Sequence, residues 1–221
     1  MLEGVIFDID GTLVDSNDAH ARSWVDTFAD AGYDVPVDAV RPLIGMGADK
    51  LLPRTVGIGH DSAEGKRLIA RRSKIFRERY LPRLRPLKGS RELVLRVRSD
   101  GLKAIVATSA KEEELKGLLK AAHVEDLMGE KATASDAKRS KPDPDIVEAA
   151  IEESDISPDR LVLIGDTPYD IEAAARARVR AIAFRSGGWP DEALKGAAEI
   201  YDGPGDLLAQ YESSLIGRES K

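Results

Sequence analysis

The sequence predicts an α/β fold, a parallel sheet core interrupted by an all-helical insert. Three features predict it: four short apolar, largely β-branched runs spread along the chain, helical patterns between the later runs, and one long stretch after the first run that is helical throughout. Val5-Ile6-Phe7 ends abruptly at Asp8-Ile9-Asp10-Gly11-Thr12, as a buried strand stopping at acids and a glycine. Similar runs stand at 104–107, 161–164 and 179–184. Strands covered on both faces carry such apolar runs, which is the habit of parallel sheets. Leu93, Val94 and Val97 precede the second run; Leu115, Leu118 and Leu119 follow it. Ile146, Val147, Ala150 and Ile151 lead into the third, and Ile171, Ala174 and Ala175 leave it. Strand alternating with helix at this spacing implies βαβ units.

The stretch from Asp15 to Pro86 breaks that alternation. It predicts helices at 19–31, 38–44, 50–56 and 62–81, punctuated by Gly32, Pro36, Gly45, Gly47, Pro53 and Pro82. The expected organisation is a core of residues 1–14 and 87–221, with residues 15–86 as a helical cap over the carboxyl edge of the sheet. Pro86-Leu87-Lys88-Gly89 reads as the return hinge, and the polar residues 217–221 as a frayed terminus.

Composition removes whole classes of function. The 221 residues are 42% hydrophobic, enough for a substantial core. There is no cysteine, so disulfides, thiolate zinc sites, iron–sulfur clusters and cysteine nucleophiles are excluded. The three histidines, His20, His60 and His123, are far apart in sequence, which points any metal toward a hard cation on carboxylates. Thirty-three basic against thirty-nine acidic residues leave a net charge of −6, which argues against general nucleic-acid binding. No run approaches the roughly 18 apolar residues of a membrane span, and the first apolar run meets an acid at once. The expectation is a cytoplasmic protein, acting as a monomer, without a membrane or nucleic-acid partner.

The residues that carry chemistry sit where predicted strands end, the place at which open α/β sheets bind ligands. Asp8 and Asp10 stand two apart, with Gly11 permitting a turn. Thr108-Ser109 offers hydroxyls and backbone N–H groups for a phosphate, or alternatively a helix cap. Lys141 is held in a rigid Lys-Pro-Asp-Pro segment, where it neutralises a phosphoryl group, pairs with the first acid, or is solvated. Asp166 and Asp170 at i, i+4 share one face, or else cap a helix and line its first turn. Each bland alternative stands alone; four of them coinciding at strand ends do not. Clustered acids need a cation to offset their repulsion, and Mg²⁺ matches their oxygen chemistry.

Asp8-Ile9-Asp10-Gly11-Thr12, Thr108-Ser109, Lys141-Pro142 and Gly165-Asp166-x3-Asp170 together resemble, in order and spacing, the four motifs of the haloacid dehalogenase superfamily. The resemblance implies a Rossmann-like core with a helical cap, and Mg²⁺-dependent phosphoryl transfer on a small phosphorylated metabolite through an aspartyl-phosphate. It implies Asp8 as nucleophile and metal ligand, and Asp10 as general acid and base, whose backbone carbonyl also meets the metal. Asp166 would complete the protein's share of the metal site, and Asp170 would stand beside it, orienting a metal-bound water or Lys141. Thr108, Lys141, Ser109 and the backbone near Ile9 would hold phosphoryl oxygens.

Within the resemblance, an acid at position 10 favours an alkoxide leaving group over the halide or carbanion of related enzymes. That leaves phosphatase and phosphomutase. The segment from Asp15 to Trp24 is similar to the start of the β-phosphoglucomutase cap, which would give His20 a role in proton handling and Trp24 a place in the pocket; helix packing is the other reading. The cap loop Gly45-Met46-Gly47-Ala48-Asp49-Lys50 lacks the phosphate-gripping arginine of the mutase, and Gly165-Asp166 replaces its acid pair. Both departures favour a phosphatase of the phosphoglycolate or sugar-phosphate type. Lys50 and Arg54 are the expected specificity residues. The basic run 66–88 reads either as the solvated face of a helix or as a steering surface. A phospho-aspartate signalling switch is the reading from another class; the insert and Asp10 argue against it.

Overall fold

The computed structural model describes residues 1–129, 131–133 and 135–220. In chain order the elements are β1 (Gly4–Phe7), α1 (Asn17–Asp30), α2 (Val37–Val40), α3 (Ala48–Thr55), α4 (Ala63–Ile75), α5 (Ser90–Ser99), β2 (Lys103–Ala107), α6 (Glu112–Ala121), β3 (Lys131–Ala132), α7 (Asp145–Ser154), β4 (Leu161–Gly165), α8 (Pro168–Arg176), β5 (Arg180–Phe184), α9 (Asp191–Leu194), β6 (Glu199–Tyr201), α10 (Pro204–Ala209) and α11 (Leu215–Glu219). The six strands form one parallel sheet in the order β3-β2-β1-β4-β5-β6.

Alternation along each strand divides the core into two layers. Val5 and Phe7 join Val106, Val162 and Ile164 on one face, packed by α5 and α6 through Leu93, Val97, Leu115 and Leu118. Ile6 joins Ile105, Leu161 and Leu163 on the other face, packed by α7 and α8 through Ile146, Val147, Ile171 and Ala174. Burial of each large aliphatic side chain contributes about 1.5–3 kcal/mol.

The helical elements between 17 and 83 have an apolar cluster of their own: Ala21, Trp24, Phe28, Val40, Ile44, Leu51, Leu52 and Leu68. The chain leaves the sheet and returns to it at one point. The Asp15 N–H donates to the Arg85 carbonyl and the Leu87 N–H to the Leu13 carbonyl, each at 3.0 Å, with Val14 bridged to Pro86.

Several sequence expectations shift in detail. The helix expected over 38–44 splits into α2 and a 3₁₀ turn at Arg41–Leu43, because Pro42 has no N–H to continue the ladder. The helix expected over 62–81 starts after the Ser62 cap, gives way to a π turn at Phe76–Tyr80, and ends in a 3₁₀ turn containing Pro82. The strands β3 and β6 lie outside the four predicted ones. The terminus expected to fray is instead held: Ser214 caps α11, the Leu2 N–H donates to the Glu219 carbonyl at 2.7 Å, and Arg180 pairs with Glu219. Of that segment, Lys221 lies outside the described residues.

Candidate active site

Register brings the motif residues together. Phe7 is paired with Val106 on one side and Ile164 on the other, so the chain beyond β1, β2 and β4 emerges at one edge. Asp8, Thr108 and Asp166 stand there side by side. Carboxylate oxygens of Asp8, Asp166 and Asp170 lie within 4.8 Å of one another, and all three residues are buried. Lys141, 1% exposed, reaches into this cluster: its Nζ is 2.6 Å from Asp8 Oδ1, 2.7 Å from Asp170 Oδ1, and donates to the Ala107 carbonyl at 3.2 Å. A buried ammonium is tolerable only with such partners.

The electrostatics follow from crowding. Burial pushes the Asp8 carboxyl up to about 7, with Lys141 pulling it down and Asp170 and Asp10 pushing it further up. Asp166 is raised well above the usual carboxylate range by burial, then by the charges of Asp170 and Asp8. Against the burial that lowers it, Asp170 and Asp8 hold the Lys141 ammonium above its ordinary value. Three buried acids and one lysine leave excess negative charge, and an all-oxygen donor set of this kind fits a hard divalent cation. Surrounding hydrogen bonds fix the acids: Thr12 Oγ1 donates to Asp166 Oδ1 at 3.2 Å, and Asn17 Nδ2 to Asp166 Oδ2 at 2.7 Å. Gly11, at φ +75°, passes so near that a Cβ there would overlap both Asp166 Oδ2 and Asn17 Nδ2.

Asp170 serves two purposes. Its Oδ2 accepts from the Thr167 N–H at 3.0 Å while Thr167 Oγ1 accepts from the Asp170 N–H at 3.3 Å, a capping box that starts α8. Its Oδ1 faces Lys141. The cap of α8 is therefore Thr167, not Asp166. At the second motif the cap of α6 is Lys111, which leaves Thr108 and Ser109 outside the helix; buried Thr108 Oγ1 accepts from the Ala110 N–H at 3.1 Å.

Asp10 faces the helical block. His20 Nε2 lies 2.6 Å from Asp10 Oδ1, and Ser16 Oγ donates to the same oxygen at 2.6 Å. Although burial opposes it, the neighbouring His20, and then Ser16 and Arg72, hold this carboxyl below its ordinary value. His20 stacks on Phe76 at 4.2 Å between ring centres, and its Nδ1 is hydrogen-bonded to Arg72 Nη2. Above these residues opens a cavity of about 600 Å³, walled by Trp24, Ile44, Met46 and Ile69 from the block and by Ser109, Lys111 and Lys138 from the sheet edge.

The description "Haloacid dehalogenase-like hydrolase" matches residues 5–184. The chain belongs to this family of hydrolases. The hydrolase is similar to an N-acetylmuramic acid 6-phosphate phosphatase of Pseudomonas aeruginosa, at 28% identity over 97% of this chain and 96% of that protein. It is also similar to a phosphoglycolate phosphatase of Nitrosospira multiformis, at 27% identity over 80% of each chain. Among solved structures, a hydrolase from Pseudomonas syringae superposes with a TM-score of 0.87 at 27% identity, covering 96% of this chain and 98% of that one.

Not every predicted residue of the hydrolase reaches the cavity. Lys50 turns aside: its Nζ donates to Asp143 Oδ2 at 2.6 Å, tying the block to the segment after Lys141. Arg54 is at the surface, 2.8 Å from Met46 Sδ, and does not line the cavity. Ser109 does line it, its Oγ 3.5 Å from the Gly45 carbonyl, and the Ile9 carbonyl accepts from the N–H groups of residues 12–14 to close the turn after Asp8. Sequence reasoning gave no role of their own to Thr12, Asn17, Arg72 and Glu114. Thr12 and Asn17 sit within or just after the first motif, and that proximity was the available signal. Most of the basic run 66–88 is solvated and ion-paired at the surface, as for Arg71 with Asp30 and Arg77 with Glu113. Arg72 alone of these arginines lines the cavity, with Lys66 beside it.

Proposed function

We propose that this hydrolase is a Mg²⁺-dependent phosphatase acting on a small phosphate monoester, of sugar-phosphate or phosphoglycolate type, through an aspartyl-phosphate on Asp8. The observation that carries the reading is the buried triad of Asp8, Asp166 and Asp170 around Lys141, with Asp10 held apart from it and aimed at the cavity. The phosphatases among its relatives support the same reaction class.

Asp8, Asp166 and the Asp10 backbone carbonyl would hold Mg²⁺, with Asp170 adjacent. Bound there, the cation would lower the Asp8 carboxyl into its ionised form and offset phosphoryl charge. Asp8 then attacks phosphorus while the bond from phosphorus to the ester oxygen breaks, and Asp10, which the negative charge of the incoming phosphate would raise from its low resting value into the acid form, gives a proton to the departing alkoxide. In the second half Asp10, now a carboxylate, takes a proton from the water that attacks phosphorus, and the Asp8–phosphoryl bond breaks to free phosphate. Lys141, Thr108 and Ser109 hold the phosphoryl oxygens through both halves. Residues 15–86 act as the cap, which excludes water and sets specificity. The loop from Gly45 to Asp49 brings no cationic side chain to the cavity, which favours phosphatase over phosphomutase.

Phosphate release from a panel of hexose phosphates, phosphoglycolate and N-acetylmuramic acid 6-phosphate, with and without Mg²⁺, tests the reading. Release should require Mg²⁺ and fall at least about a hundredfold in Asp8→Asn and in Asp10→Asn. Release that survives in Asp8→Asn, or glucose 1-phosphate isomerised without phosphate release, overturns it.

A further inference from the structure

Glu114 is a buried carboxylate that the catalytic steps do not use. It is 2% exposed and lies in the first turn of α6, on the sheet side of the cavity. Its partners come from the other side. Arg72 Nη1 donates to Glu114 Oε1 and Oε2 at 3.2 and 2.9 Å, and Ser73 Oγ donates to Oε1 at 2.5 Å, both from α4. Arg72 is held over the Phe76 ring, 4.6 Å from its centre, and its Nε donates to Ser23 Oγ at 3.2 Å.

The orientation of His20 follows from Arg72. A guanidinium has donors only, so the bond between Arg72 Nη2 and His20 Nδ1 makes Nδ1 the acceptor. A neutral imidazole with an accepting Nδ1 carries its proton on Nε2, and Nε2 is the atom that faces Asp10 Oδ1. His20 and Ser16 thus both bond Oδ1, leaving Oδ2 of Asp10 for proton transfer in the cavity.

We infer that Glu114 is a positioning residue: from the sheet side it anchors Arg72, which through His20 sets the aim of Asp10, so that the acid–base group is placed only while the cap is docked. The inference rests on the phosphatase reading of the same site. Its signature is dependence on the leaving group. Proton donation by Asp10 matters more for a basic leaving group than for a stable anion, whereas a packing role affects both alike.

The experiment compares kcat/KM for phenyl phosphate and p-nitrophenyl phosphate, probes of similar shape whose leaving groups differ in basicity. This parameter reports the first phosphoryl transfer, in which Asp10 acts as the acid. Glu114→Gln keeps the shape and removes the charge that anchors Arg72. It should lower the phenyl phosphate value about tenfold more than the p-nitrophenyl phosphate value, in the same sense as Asp10→Asn. Arg72→Ala should give the same ratio, and the double variant should be no worse than either single. If Glu114→Gln fails to fold, Glu114→Asp, which keeps the charge but withdraws it, should show an intermediate ratio. Equal losses on both probes, multiplying losses in the double variant, or an unchanged Glu114→Gln overturn the inference. An Asp10→Asn without the signature overturns the acid step of the phosphatase reading first.

Discussion

Asp8 and Asp166 are site acids that burial keeps protonated further up the pH scale than usual. Both carboxyls are raised in the folded chain, Asp8 from its ordinary 3.8 to about 7. An acid with a raised folded pKa contributes its stability fully below the unfolded value and loses it as pH climbs through the folded one. The metal-free protein should therefore lose thermal stability between about pH 4 and pH 7 from these groups. Mg²⁺ held there as proposed would select the ionised forms, so its stabilising effect should be larger at pH 8 than at pH 5. Thermal melts with and without Mg²⁺ check this; Asp166→Asn should shrink both the pH slope and the Mg²⁺ increment. Motif spacing made these acids legible, since residues that end adjacent parallel strands must meet. Arg72 and Glu114 were not legible, because a salt link across two packed units leaves no local spacing in the sequence.

Among the elements, α8 shows how a helix start can serve a site. Thr167 caps the helix and Asp170 closes the box, so the same carboxylate that meets Lys141 is fixed by the helix it begins. Thr167→Ala should cost about 1 kcal/mol, and for a chain of this size that is a fall of about 2–4 °C in Tm. It should also reduce kcat, because Asp170 Oδ2 loses one of its two Thr167 partners: the N–H remains, the hydroxyl bond at 2.6 Å goes. Steady-state kinetics beside a melt separates the two effects. The four predicted strands read clearly because each is an apolar run, interrupted only by Arg180 in the last. The strands β3 and β6 did not, since Lys131-Ala132 and Glu199-Ile200-Tyr201 are too short to show a period and exist by pairing with a longer neighbour. The π turn at Phe76–Tyr80 is likewise invisible to periodicity, yet it begins at the ring on which His20 stacks.

On the scale of the molecule, the helical block and the sheet edge are joined around the cavity by polar links: Lys50 to Asp143, Asp49 to Ser140 at 2.5 Å, Arg41 to the Gly187 carbonyl at 2.9 Å and Tyr169 to the Pro42 carbonyl at 2.6 Å. Lys50 thus holds the block in place where the sequence suggested substrate recognition. Lys50→Ala should raise KM by about two- to fivefold for every substrate alike, as loss of a partly buried ion pair implies, and Arg54→Ala should change neither KM nor preference. Comparing the rank order of a substrate panel in the two variants decides it. No helix among the described residues is long and apolar enough to cross a membrane. The chain departs and returns through neighbouring backbone bonds at Leu13–Asp15 and Arg85–Leu87. An insertion with touching ends adds little loop-closure entropy to the host sheet, whatever its own length or fold. The intervening segment is therefore an exchangeable cassette: a different set of helices spliced between those two bonds would meet the same acids and bring a new wall to the same chemistry.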